Sequence, residues 1–200
     1  MKRLFALAVA LAAPVAALAQ SSWMIEPNHT HSSFTIRHLV ISNVRGEFGK
    51  TTGTVSLDEK DVTKSTVEAK IETTTIDTRV ADRDTHLRSP DFFDVAKYPA
   101  MTFKSTKVEK AGEGKLKVTG NLTIKDVTKP VVLEVAGPTK EIKDPWGNTR
   151  RGVSAHTKIN RKDFGLNWSK VVEAGPVVGD EVSIEIEAEL LKQDAKQATN

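Results

Sequence analysis

No cysteine occurs among the 200 residues, so neither a disulfide framework nor a thiolate metal site holds this chain together. A lipid attached at an N-terminal cysteine is excluded on the same ground. Aromatic residues are scarce at 6%, with one Tyr and three Trp. That is too few for the two aromatic girdles of a membrane-spanning β-barrel. Neither sign of charge dominates. With Lys2 and Arg3 set aside as part of a leader, 27 of the 29 basic residues face 26 acidic ones, a balance that argues against nucleic acid as a partner. Hydrophobic residues make up 38% and charged residues 28%, the composition of a soluble globular chain with enough apolar surface to bury a core. The length corresponds to one domain.

A single long apolar run is present, from Leu4 to Leu18, preceded by Lys2 and Arg3 and closed by Ala17-Leu18-Ala19. The small-x-small ending is the pattern signal peptidase accepts, so residues 1–19 read as a signal peptide cut before Gln20. Pro14 interrupts the run, alanine dominates it, and no stop-transfer charges flank it, which argues against a membrane-spanning anchor. The leader has no twin-arginine pair, so the general secretion route and a periplasmic location are expected. Residues 20–191 are then the folded domain, and 192–200 a disordered tail.

What the chain has in quantity is alternation. Leu116, Val118, Gly120, Leu122 and Ile124 interleave with Lys117, Thr119, Asn121 and Thr123. Val182, Ile184, Ile186, Ala188 and Leu190 likewise interleave with polar residues, four of them glutamates. A two-residue strand period fits both runs and a helical period fits neither. Six more runs alternate less cleanly: Phe34-Ile36-His38-Val40, Phe48 on to Val55-Leu57, Val67-Ala69-Ile71, Met101-Phe103, Val131-Leu133-Val135 and Val153-Ala155-Thr157-Ile159. Turn clusters such as Lys110–Gly114, Lys125–Pro130 and Asp144–Asn148 separate neighbours, and links this short force antiparallel pairing. The expectation is an all-β chain of eight antiparallel strands, closed as an extended barrel or stacked as a sandwich. Strands of about ten residues would span roughly 30–40 Å. Eight is also the strand number at which a barrel can hold one small ligand.

One stretch departs from the pattern. Residues 79–97 contain Ser89-Pro90-Asp91, read as an N-cap with proline at the first helical position. Phe92-Phe93 supply its apolar face and Tyr98-Pro99 its stop. This predicts a short helical insert between the third and fourth strands. Residues 165–179 read as a long loop.

Taken in order, several stretches resemble the YceI-like family. They are His31-Ser32-x-Phe34-x-Ile36-x-His38, Gly46-x-Phe48 with Gly53, and Arg83-Asp84-x-His86-Leu87-x-Ser89-x-Asp91-Phe92-Phe93-Asp94 with Tyr98-Pro99 and Phe103. Gly120-x-Leu122-Thr123 with Val127-Thr128 and Val131 follows, then Asn160-Arg161-x-Asp163-Phe164-Gly165. The similarity runs from about Trp23 to Leu191. It implies an extended eight-stranded lipocalin-like barrel whose lumen holds a long amphiphilic lipid such as an isoprenoid quinone or a prenyl phosphate, and it does not imply an enzymatic activity. The expectation is a carrier of a long-chain isoprenoid lipid with no catalytic residue, cofactor or metal.

Such a ligand needs few polar contacts. At about 0.8 kcal/mol per buried methylene, some twenty carbons supply a gross drive of very roughly 15 kcal/mol before association costs. Strand parity assigns the candidate lining: Phe34, Ile36 and His38 from the first run, Phe48 from the second, and Phe103 from the fourth. Leu116, Val118 and Leu122 come from the fifth, Leu133 from the sixth, Val153 from the seventh, and Val182, Ile184 and Ile186 from the last. Each is equally readable as an ordinary core residue. His38 either bonds a polar head group or has a backbone partner, and Arg37, of opposite parity, points outward. Arg161 and Asp163 read as an ion pair pinning the turn before Phe164, with a head-group site as the alternative. His29 and His31, two apart, could offer two metal ligands, but no further ligand pattern accompanies them. The Arg83, Asp84, His86 and Asp91 cluster carries the rival reading, an enzyme in which His86 is a base oriented by a carboxylate. Another alternative is a lipophile-sequestering stress protein, or a barrel packed solid. The glutamates on the last strand disfavour edge pairing there, leaving a homodimer through another surface open.

Overall fold

The computed structural model describes residues 20–173 and 175–193. The leader expected over residues 1–19, and the tail from residue 194, lie outside the described residues. The strands are β1 (Gln20–His38), β2 (Ser42–Phe48), β3 (Thr51–Asp58), β4 (Thr66–Glu72) and β5 (Ile76–Asp77). After helix α1 (Ala81–Arg88) come β6 (Ala100–Lys110), β7 (Lys115–Ile124), β8 (Val127–Ala136) and β9 (Ile142–Lys143). The chain continues through β10 (Thr149–Asn160), β11 (Val171–Val172), β12 (Gly175–Pro176) and β13 (Val178–Lys192).

These strands form a closed antiparallel barrel. The order runs β13-β10-β8-β7-β6-β4-β3-β1, and pairing of β1 with β13 shuts it. β1 pairs with β3 through residues 20–24 and with β2 through residues 32–38. β2 and β3 therefore share one position around the wall, bent at Gly49-Lys50, and the barrel has eight positions. The run read from Phe48 to Leu57 is the second half of this bent strand. Its first half, Ser-Asn-Val-Arg-Gly-Glu, shows one apolar side chain and so little alternation. Val40, read as strand, lies instead in the β1–β2 turn, where Leu39 and Val40 both have positive φ. β13 runs through Lys192, the first residue of the expected tail.

The helix also differs from the reading. α1 ends where a helix was expected to begin: the Ser89 hydroxyl and N–H both donate to the His86 carbonyl. The steric demand of Pro90 on the residue before it favours extended backbone there, and Ser89 has ψ 170°. Residues 90–97 continue as turns. The N-terminal side is held by Asp84, whose carboxylate accepts from the Thr78 N–H and hydroxyl.

Two apolar clusters stiffen the barrel. Trp23, Ile25, Leu57 and Leu190 close the end at which β1 begins. Phe48, Ile76, Met101, Phe103, Val118, Leu122 and Phe164 belong to the other, which extends to Leu87 and Phe93 of the α1 region. The β8–β10 ladder has three residue pairs. Beyond it the 3-10 turn Arg161–Phe164 packs against β8, which buries Phe164.

Candidate functional site: an apolar lumen

The barrel encloses a cavity of about 440 Å³. All thirteen side chains assigned inward by parity border it: Phe34, Ile36, His38, Phe48, Phe103, Leu116, Val118, Leu122, Leu133, Val153, Val182, Ile184 and Ile186. Successive side chains of a strand leave on opposite faces, so one correct parity places a whole run. Burial is uneven around the wall. Met101, Phe103, Val108, Val118, Leu122 and Ile124 of β6 and β7 are buried. Their counterparts on β8, β10, β13 and β1, such as Leu133, Val153, Ile184 and Phe34, are only half-buried although they face inward. The cavity is bordered all round the wall, also by half-buried Val55, Val67, Ala69 and Ile71 of β3 and β4, and these inward side chains retain apolar surface that no protein group covers.

Two glycines keep the aromatic rings out of the way. Phe34 pairs in register with Gly46, and a Cβ on Gly46 would sit 2.5 Å from Phe34 Cζ. The Phe103 ring likewise lies over Gly120, two residues along β7 from its register partner Leu122. Each ring is laid flat on the wall by a residue with no side chain, so the phenylalanines line the lumen without filling it.

Sequence reasoning missed several lining groups. Val44, Trp168, Val177 and Val178 border the cavity but stand in segments with no readable period. Ile25, which also borders the cavity, was missed because β1 carries an irregularity between Ile25 and Thr30. Inward positions are odd-numbered before it and even-numbered after it.

At the α1 end the lumen is bounded by half-buried polar groups. His38 borders the cavity, and its imidazole has no hydrogen-bond partner among the described residues. Arg37 is exposed, as expected, yet also reaches the rim, donating to the Val40 carbonyl and Asn43 Oδ1. Arg83 donates to the Thr78 hydroxyl and carbonyl. His86 Nε2 stands 2.8 Å from Asp91 Oδ2, and its ring meets Phe92 and Trp168 edge-on at 5.0 Å each. This trio ties α1 to the loop after β10.

Arg161 is not paired with Asp163, which is exposed. Its guanidinium, almost fully buried, donates to the carbonyls of Leu166, Trp168, Val178 and Gly179 and to Asp180 Oδ1. Burial lowers the Arg161 pKa and the Asp180 carboxylate partly opposes that shift. The fork fits because the long loop presents carbonyls that no strand ladder satisfies. His29 and His31 have separate partners: His29 Nδ1 meets the buried Glu26 carboxylate, and His31 lies 4.0 Å from Glu47. Burial pushes the Glu26 pKa up, but hydrogen bonds and charge from His29 and Asn28 bring it below the usual value. Ser32, next to His31, ties β1 to β3 through the Thr51 hydroxyl at 2.8 Å.

The opposite end is closed by Trp23, over which the Arg151 guanidinium stacks at 5.2 Å while paired with Glu59 and Glu141. A second cavity of about 350 Å³ lies there, with Lys60, Lys110 and Lys115 among its lining residues. The nearby β9–β10 turn is knotted by Asp144, which accepts from the Trp146 and Asn148 N–H groups, the Asn148 amide and Arg150 Nε. No helix among the described residues is long and apolar enough to cross a membrane.

Residues 23–190 match the sequence pattern of a family described as YceI-like domain. Protein YceI of Escherichia coli O157:H7 is 43% identical over 168 residues, 84% of each chain. The crystal structure of the Campylobacter jejuni YCEI protein aligns with a TM-score of 0.67 at 32% identity, covering 80% of this chain and 91% of that one. A polyisoprenoid binding domain from Saccharophagus degradans, implicated in plant cell wall breakdown, shares the fold with a TM-score of 0.62 at 15% identity, over 88% and 99% of the two chains.

Proposed function

Since the chain belongs to the YceI-like domain family, we propose that it is a periplasmic carrier that holds one long-chain isoprenoid lipid, a quinone or a prenyl phosphate, in its lumen. The observation that carries this reading is the set of inward aliphatic side chains left half-buried around a cavity of about 440 Å³. Apolar surface of that kind gains about 25 cal/mol per Å² when a hydrocarbon chain covers it, and a narrow tube accepts a linear chain better than a compact molecule. A barrel packed solid by its own side chains does not agree with that cavity. The structural neighbour from Saccharophagus degradans is itself a polyisoprenoid binding domain, and the leader read over residues 1–19 supplies the route to the periplasm.

Native mass spectrometry of protein taken from its own host, followed by solvent extraction, tests the proposal. A stoichiometric isoprenoid, identified by mass, is the expected result. A protein that arrives without lipid and takes up neither added menaquinone-4 nor undecaprenyl phosphate overturns it. One observation favours a second reading: His86 borders the lumen with its Nε2 on a carboxylate, the arrangement of a base beside a hydrophobic substrate. Enzymatic turnover of a bound lipid that His86→Ala abolishes, with uptake intact, would establish that reading.

A further inference from the structure

Beside the mouth bounded by His38, Arg83, His86 and Trp168 stand two apolar loop tips. In the β1–β2 turn Val40 is 51% and Ile41 77% exposed, and in the β11–β12 hairpin Val171 is 79% and Val172 43% exposed. The two tips are joined: Leu39 N–H donates to the Val177 carbonyl at 2.9 Å, and Val40 Cγ2 lies 3.5 Å from where a Cβ on Gly175 would stand. They therefore form one ledge of four exposed β-branched side chains. Val40 has a φ of 63°, a conformation that is costly for a β-branched residue, and its side chain gains little burial in return. A polar residue or glycine would serve the turn better, so folding does not account for the valine.

The ledge continues inward as apolar surface. Val177 and Val178 follow β12 directly and border the lumen, as does Trp168 two residues after Leu166. Two cations flank it, Arg37 and Lys170, and neither forms an ion pair among the described residues, while Glu173 at the hairpin tip supplies one negative charge. The Lys170 carbonyl accepts from the Val177 N–H, which fixes this residue beside the ledge.

We infer that this ledge docks on a lipid bilayer, setting the lumen mouth against the membrane so that a lipid passes between them without crossing water. The inference rests on the lipid-carrier reading for its purpose, since a long isoprenoid resides in a bilayer and a carrier must meet one. Apolar side chains beside cations are the chemistry that seats a protein in the interfacial layer of anionic membranes. The opposite end also exposes a tryptophan, Trp146 at 81%, but there the barrel is shut by Trp23, Leu57 and Leu190.

The test is flotation of the mature protein with vesicles of phosphatidylethanolamine and phosphatidylglycerol that contain no isoprenoid, so that docking is read independently of cargo. Four proteins are compared: wild type, Ile41→Glu, the Ile41→Glu/Val171→Glu pair, and Trp146→Ser. All three sites are exposed, so the variants are expected to keep the wild-type fold. The expected result is vesicle partition that falls at least tenfold in the pair and by an intermediate factor in Ile41→Glu, and is retained in Trp146→Ser. Uptake of menaquinone-4 from vesicles slows in parallel, while uptake from detergent micelles is unchanged. Equal partition of all four proteins, partition lost in Trp146→Ser alone, or no partition by wild type overturns the docking inference. Failure to take up menaquinone-4 or undecaprenyl phosphate from micelles as well overturns the carrier reading instead.

Discussion

At the scale of single residues, the lumen depends on groups that withhold volume. Gly46 lets Phe34 lie on the wall, and a methyl there would stand 2.5 Å from Phe34 Cζ and 2.8 Å from Thr78 Cγ2. Gly46→Ala should therefore lift the ring into the cavity, costing about 1–3 kcal/mol of stability and lowering the lipid-to-protein ratio recovered by extraction. A stable variant with full lipid load would show that the ring does not limit the lumen. Arg161 works by the opposite means, filling space with donors. Arg161→Met should cost about 3 kcal/mol in urea unfolding, because the carbonyls of Leu166, Trp168, Val178 and Gly179 lose their partner together. Arg161→Lys should recover less than half of that, since an ammonium cannot reach several carbonyls as a planar fork does. Such a network leaves little trace in a sequence. Arg161 stands two residues from Asp163, which invited a local pair, whereas its acceptors are mostly backbone atoms with no side-chain signature.

Among the elements, alternation was readable wherever a strand keeps one face to the lumen and one to water. β7 and β13 are such strands, and their inward residues follow from parity alone. Legibility failed where the chain changes phase. The irregularity in β1 between Ile25 and Thr30 exchanges odd for even positions, and the bend at Gly49-Lys50 leaves β2 with Val44 as its lone inward aliphatic. The Ser89-Pro90 pair marked a helix boundary correctly but on the wrong side, because serine serves an end as well as a start when its hydroxyl turns back to a carbonyl. The β9–β10 turn yields a pH prediction. Burial works against ionisation of Asp144, but bonds from the Asn148 side chain, Arg150, and the backbone of Asn148 and Trp146 outweigh it, holding the carboxyl at about 2 against an ordinary 3.8. A value depressed by folding means that the stabilisation is complete above about pH 4 and disappears as pH falls through about 2. The Trp146 indole resonance should shift over that window, and Asp144→Asn should remove the transition while leaving the hairpin weaker at neutral pH.

For the molecule as a whole, the eight-position barrel and its lumen were legible, because total strand count and inward parity are both set by hydrophobic pattern. The closure of the mouth was not, since α1, the Trp168 loop and the β11–β12 hairpin meet through contacts far apart in sequence. Small inward residues offer a clean intervention. Ala155 borders the lumen opposite Ile186 on β13, and Ala155→Phe should occupy space otherwise left to ligand. The variant should match or exceed wild type in thermal stability while retaining at least tenfold less lipid by extraction. Unchanged retention would place the lipid elsewhere. The cavity has one more consequence, for volume. A wall of aliphatic side chains offers water no hydrogen bonds, so the folded state includes space that the solvated unfolded chain does not. Hydrostatic pressure should therefore unfold this barrel more readily than a filled domain of equal size, and cargo that occupies the lumen should raise the unfolding pressure in proportion to the space it takes up.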